Sequence, residues 1–228
     1  MIRDCHNDIR RNLFNRSDFK GKRILEIGCG AGAVTRSYVD NARFAVGIEP
    51  DFDAICKGAE TVPDAFFICG SGMNLPLASG CFDIVLFTLS LHHHPDCLAA
   101  LVEARRTMTR DGLILVLEPA MESEIQRFCG IFENEDHRLM AVEDALARCP
   151  LETISREVFT THWMFTNFAD AANYAFTYYN HPPDEDKRKS LRDFLGPKAH
   201  DAPIMMTDTL RLTCLRLPGQ PPSGRPSS

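Results

Sequence analysis

The run Ile24-Leu25-Glu26-Ile27-Gly28-Cys29-Gly30-Ala31-Gly32 sets three alternating glycines directly after a short apolar stretch. Glycine lets a backbone turn sharply and lie against a ligand with no Cβ in between. The next residues, Ala33 to Val39, read as a helix, so strand, glycine turn and helix N-terminus follow one another as in a nucleotide-binding unit. The spacing is Gly-x-Gly-x-Gly, its third glycine one position earlier than in the Gly-x-Gly-x-x-Gly that cradles a pyrophosphate. A second apolar run, Arg43 to Glu49, ends in an acid about twenty residues after the first glycine. A carboxylate there can accept both hydroxyls of a ribose. Its other use is to cap a helix starting at Asp51.

These residues resemble the first motifs of the class I S-adenosylmethionine-dependent methyltransferases, commonly hydrophobic-(Asp/Glu)-x-Gly-x-Gly-x-Gly followed by a second-strand acid. The likeness continues through Phe67 to Asp83 and on to Glu118, covering roughly residues 20 to 120. It implies S-adenosylmethionine as the methyl donor, lying over the turn of Gly28, Cys29, Gly30 and Gly32. Glu26 would then face the donor's amino group, and Glu49 with Pro50 its ribose. The family often places an Asp and a small residue after the third strand, against the adenine amino group. Aligning Leu75-Pro76 with the family's Leu-Pro puts Ser71-Gly72 there, with Met73 beside them. Ser71 accepts a hydrogen bond without charge assistance, which bears on the strength of donor binding. Met73 offers a soft apolar face to a ring. The segment Phe82 to Asp96 resembles the family's Phe-Asp-x-Val strand with its trailing Leu-His-His, and it brings Thr88, Leu89 and His93 to the expected donor pocket.

His92, His93 and His94 invite a metal reading, but adjacent side chains in a loop diverge and no second ligand cluster stands at suitable spacing nearby. No metal is therefore expected. Imidazole titrates near neutrality, so His92 or His93 is a candidate general base. Glu118, His137 and His162 are further candidates that the sequence does not rank. Transfer of a sulfonium methyl is an in-line displacement that needs alignment and desolvation. A base is needed only where the acceptor must lose a proton.

Strands are expected at 23–28, 44–49, 65–69, 82–88 and 113–118, with helices at 33–39, 52–60 and 97–108 and a turn at Thr109–Gly112. Continuous apolar strands alternating with helices indicate an α/β fold with a doubly wound, mostly parallel sheet. The resemblance implies seven strands and an antiparallel edge, built from the late runs 153–163 and 207–217. Between these runs, 167–179 reads as a helix and 181–200 as a charged, proline-punctuated surface loop with room for one helix. One domain is expected over 1–217, with 20–120 as donor-binding core and 1–19 and 120–205 as lid and substrate elements. The Pro/Gly/Ser stretch 218–228 is expected as a disordered tail. The lid aromatics Phe128, Phe132, Trp163, Phe165, Phe168 and Tyr174 either meet an apolar or planar acceptor or pack the lid.

The 228-residue chain carries a net charge of −6, which argues against a broad nucleic-acid footprint. Its first 23 residues nevertheless hold Arg3, Arg10, Arg11, Arg16, Lys20, Lys22 and Arg23, a solvated helix face or the footprint of a tRNA-directed enzyme. The fourth strand ends in neither an Asn-Pro-Pro-Tyr-like nor a Pro-Cys sequence. No apolar run approaches the ~20 residues that cross a bilayer. Nine scattered cysteines without a Cys-x-x-Cys pair fit a reduced, cytoplasmic protein. The expected activity is methyl transfer from S-adenosylmethionine to a small-molecule acceptor. The alternatives are a tRNA-modifying enzyme and a non-catalytic binding protein of the same fold.

Overall fold

Arg23–Ile27 is apolar from Ile24 onward except for Glu26 and forms β1, with its last four residues buried. In this computed structural model, which describes residues 1–219, β1 lies at the centre of a sheet. It pairs in parallel with β2 (Phe44–Glu49) on one side and with β4 (Phe82–Thr88) on the other. β3 (Ala65–Cys69) continues the parallel pairing beyond β2, and β5 (Met108–Pro119) beyond β4. With β6 (Glu152–Phe165) and β7 (Ile204–Arg216), the seven strands run β3-β2-β1-β4-β5-β7-β6, with an antiparallel edge at β5-β7-β6. The strand order reverses direction between β1 and β4. A crevice at the strand C-termini is expected at that point.

The helices begin where the sequence supplies a cap. Asp51 accepts from the N–H groups of Asp53 and Ala54 at the start of α3 (Phe52–Thr61). Asp96 accepts from Ala99 at the start of α4 (Cys97–Thr107). These side chains satisfy orphan first-turn donors, each worth about 1 kcal/mol. Two expectations change. The helix at 33–39 is one short α-turn, Thr35–Tyr38, followed by a 3-10 turn at Val39–Asn41, because Thr35 and Tyr38 are drawn inward to Glu26. Thr109–Gly112 is not a free turn but part of β5. A register shift opposite Phe82 and Ile84 takes these residues up as an irregularity within the strand.

The chain divides into two compact units. One holds Arg10–Glu118, Met140–Glu157 and, among the described residues, 211–219. Its core is built from Leu25, Ile27, Ile48, Val85, Phe87, Leu101, Ala104 and Val116, joined by Val142 and Ala145 of α6 (Asp136–Arg148). The expected donor core therefore falls in this unit together with most of α6, which the sequence reading grouped with the lid. The other unit holds Met1–Ile9, Pro119–Leu139 and Val158–Leu210. Its own core gathers Phe128, Trp163, Phe165, Phe168, Phe176, Ile204 and Met206 around α7 (Phe168–Tyr178) and α8 (Glu185–Leu195). Four of the six lid aromatics are thus packing residues, with Phe132 and Tyr174 half-buried against them. The stretch 181–200 is mostly ordered as α8 and a 3-10 turn. Pro218 and Gly219 form a turn, and the rest of the expected tail lies outside the described residues. Among the described residues no helix is long and apolar enough to cross a membrane.

Arg23 and Asp83 lock the entry ends of β1 and β4. Asp83 accepts from the Arg23 backbone N–H and from two guanidinium nitrogens, at 2.7–3.0 Å. These Arg23 hydrogen bonds hold the Asp83 carboxyl below its usual value, against a smaller opposing effect of burial. A depressed folded-state pKa contributes stability above the unfolded value and loses it as pH falls through the folded one. Asp83→Asn is expected to lower unfolding stability by about 1 kcal/mol at neutral pH. The difference from wild type should vanish in urea titrations carried out below the Asp83 pKa.

Candidate active site

The glycine turn leaves β1 at Gly28, whose φ is +74°. A Cβ there would stand 2.4 Å from the Cβ of Ser90, so both conformation and space require glycine. Ser90 approaches this closely because its hydroxyl donates to the Ile27 carbonyl at 2.6 Å. The N–H groups of Gly28 and Cys29 both donate to the Ile48 carbonyl, at 2.7 and 3.1 Å. Glu49 completes the tie. Its Oε2 accepts from the Gly30 N–H at 3.0 Å and its Oε1 from the Asp51 N–H at 3.2 Å. Helix capping falls to Asp51, which leaves the Glu49 carboxylate on the turn.

Around this turn lies a cavity of about 390 Å³, within the size range of small-molecule sites. Eight of the residues expected from sequence line it: Gly28, Gly30, Glu49, Pro50, Ser71, Gly72, Leu89 and His93. Ile48, Gly70, Ser90, His94 and Pro95 line it too and were not foreseen. Glu49 is the one carboxylate among these lining residues, and no Lys or Arg joins it. A carboxylate offers about four lone-pair sites, and two of those on Glu49 are used by the backbone. A Cβ on Gly30 would meet no protein atom within 4 Å, so the turn presents bare backbone there. Gly72 is needed for a different reason, since a Cβ would come within 2.3 Å of the His94 imidazole.

The remaining expected residues lie elsewhere. Glu26 is fully buried, and its two oxygens accept from Thr35 Oγ1 at 2.6 Å, Tyr38 Oη at 2.7 Å and the Thr88 hydroxyl. Burial pushes its carboxyl up, and the three hydroxyls oppose that. Thr88 is therefore spent on Glu26. Gly32 packs beneath Phe67, where a Cβ would come within 2.8 Å of the ring. Met73 packs against the core, while its N–H donates to Ser71 Oγ at 3.3 Å. Burial, then the Glu26 and Glu49 carboxylates, push the Cys29 thiol well up, so it stays protonated and unreactive.

The three histidines do not all diverge as expected, since the His92 and His93 rings lie 3.9 Å apart between centroids. His94 Nδ1 lies 3.0 Å from the Ser90 carbonyl and donates to it. His93 lines the cavity. His92 is buried, with Nδ1 against Glu118 Oε2, while Glu118 Oε1 accepts from the Leu91 N–H at 2.8 Å. A carboxylate that holds Nδ1–H leaves Nε2 as the basic atom and stabilises the imidazolium formed when it takes a proton. Glu118, one of several unranked bases in the sequence, is thus the partner that orients His92.

Residues 25–116 match the family described as Methyltransferase domain. A demethylmenaquinone methyltransferase from Beutenbergia cavernae is 28% identical over 98 residues, 43% of this chain and 41% of that protein. A fatty-acid O-methyltransferase from Mycolicibacterium smegmatis is 28% identical over 145 residues, 62% of this chain and 48% of that protein. The chain therefore matches less than half the length of each. A crystal structure of a Bacillus halodurans protein, assigned as a methyltransferase, superposes with a TM-score of 0.68 at 16% identity, covering 92% of this chain and 98% of that one. That likeness shows the fold. Motif, family match and fold agree in marking residues 25–116 as similar to a methyltransferase domain on a class I methyltransferase fold, a family that generally uses S-adenosylmethionine.

Proposed function

We propose that the cavity beside the glycine turn holds S-adenosylmethionine and that the protein transfers its methyl group to a small-molecule acceptor that is apolar in its bulk. The observation that carries this reading is the Glu49 carboxylate, tied to the turn and still able to accept from a diol, in a cavity with no competing charged side chain. A lone carboxylate favours a cationic ligand over a phosphate-bearing one. When bound, the donor supplies a methyl already activated by sulfonium charge. Glu49 accepts from the ribose hydroxyls, and Ser71 takes the weaker polar contact on the adenine side. Leu89 and Pro95 supply apolar wall. His92, oriented by Glu118, takes the proton of an acceptor that must lose one.

The acceptor class is supported by the printed activities of the relatives, a demethylated menaquinone and fatty acids. It gains no support from the lid aromatics, which are committed to packing. A tRNA acceptor is disfavoured because four of the seven N-terminal cations are engaged within the chain. Arg3 lies over Trp163, Arg10 donates to the Ser37 carbonyl, Arg16 pairs with Glu157 and Arg23 with Asp83. The scattered cysteines of the sequence accord with action in a reducing cytoplasm.

Calorimetric titration with S-adenosylhomocysteine tests the donor site. Micromolar binding is expected, weakened ~10- to 100-fold in Glu49→Ala by loss of charge-assisted hydrogen bonds. Absence of binding by the folded wild type, or full affinity in Glu49→Ala, defeats the assignment. A labelled-methyl screen of metabolite extracts then supplies an acceptor. On a hydroxyl acceptor, His92→Ala is expected to lower kcat by ~10²- to 10⁴-fold and to leave homocysteine-product affinity within about twofold. Equal losses in both would assign His92 to the pocket wall alone.

A further inference from the structure

We propose that His6, Asp8 and His162 form a binding site for a divalent transition-metal ion, with zinc as its first occupant, that joins the N-terminal segment to β6. All three residues belong to the unit that does not carry the donor cavity. One ligand atom from each lies within 4.8 Å of the others. The backbone brings them together. Ile2 and Met164 exchange both N–H···O bonds at 2.8 Å, and the Cys5 N–H donates to the His162 carbonyl at 3.1 Å. Residues 1–5 thus run along the end of β6, and the next residue, His6, meets His162 edge to face at 5.2 Å between ring centroids. His6 Nδ1 stands 4.0 Å from Asp8 Oδ2.

Two observations point to a ligand rather than to a simple ion pair. The first is His162 Nδ1, which is buried and has no hydrogen-bond partner. Leaving such a group unsatisfied is destabilising, and a metal ion satisfies an imidazole nitrogen directly. The second is the loop. Asp4 and Asn7, on either side of His6, hold φ values of +51° and +56°, which side-chain-bearing residues adopt at a cost. Asp4 secures this conformation by accepting from the N–H groups of Asp8 and Ile9 and from the Thr161 hydroxyl, at 2.6–3.0 Å. Its carboxylate is spent on the loop, and the loop delivers His6 and Asp8 to one side of His162.

The donor set decides the ion. Two imidazoles and one carboxylate suit zinc and its first-row neighbours, whereas calcium and magnesium take all-oxygen sites. Three protein ligands leave one tetrahedral position for water. Zinc–ligand distances near 2.0–2.1 Å require the ligand atoms to draw together from their present spacing. His6 supplies that movement, because its side chain is 58% exposed.

The test uses the full chain after treatment with chelator, titrated with Zn²⁺ by calorimetry and with Co²⁺ by absorption. One ion per chain is expected, with a rise in Tm on Zn²⁺ addition and a Co²⁺ spectrum free of thiolate charge-transfer bands. His6→Ala, at an exposed position that tolerates change, is expected to weaken binding ~10-fold or more, as are Asp8→Asn and His162→Ala. Cys56→Ser/Cys69→Ser, which removes exposed thiols, is expected to leave affinity unchanged. The proposal is overturned if no ion binds, if a thiolate band dominates the Co²⁺ spectrum, or if His6→Ala/His162→Ala binds zinc as tightly as wild type.

Discussion

A carboxylate with no exposure to solvent, Glu26, ties three elements into one frame. Through hydroxyls it holds Thr35 and Tyr38 of the short helix and Thr88 at the end of β4, while itself standing on β1. Burying a carboxylate is costly unless its lone pairs are taken, and here three donors take them. The arrangement fixes where the glycine turn leaves β1 and where β4 stops. Gly28 and Gly30 on one side of the cavity, and Leu89, Ser90 and His93–Pro95 on the other, follow from those two ends. Glu26 therefore anchors the cavity from behind, without lining it.

Glu49 performs the complementary task in front. It is the last residue of β2, and its bond to the Gly30 N–H spans from the second strand to the turn after the first. The two acids thus divide the labour: one is buried and fully hydrogen-bonded, the other half-exposed with acceptor capacity to spare. Between them, Cys29 is held as a neutral thiol by burial and by both carboxylates. The turn therefore carries a cation-attracting field and no nucleophile. On the proposed reading, any proton transfer falls to the histidine segment beyond β4.

What was legible in the sequence is what local physics demands. Apolar runs located the five parallel strands, and Asp51 and Asp96 announced the starts of α3 and α4. Gly28 and Gly30 were legible because the turn needs positive φ at those points, and Glu49 because a strand-end acid at that offset has few other uses. Thr109–Gly112 misled because turn-forming residues also suit a strand irregularity, and only the partner strand reveals which is present. Ser90 and Gly70 gave no local signal, and His94 gave one that pointed to a metal rather than to the cavity. Their places in the cavity arise from the parallel pairing of β1 with β4, which sets Ile27 opposite Phe87, a relation between residues 60 apart. The aromatics of 128–174 showed the opposite failure: composition marked them, but packing of their own core absorbed them.

The pairing of His92 with Glu118 shows why the site's chemistry was the least legible part. Either residue alone has an ordinary structural use, as a helix-entry side chain or as a strand terminus before Pro119. Their meeting depends on β4 and β5 lying side by side, with Thr88 opposite Leu117. Glu118 also accepts from the Leu91 N–H, so one carboxylate sets both the backbone turn that carries the histidine and the tautomer of its ring. On the proposed reading, a base built this way is held by the same sheet that shapes the cavity. Its orientation is therefore as fixed as the strand register, which is what a proton acceptor needs to be effective over a short reach.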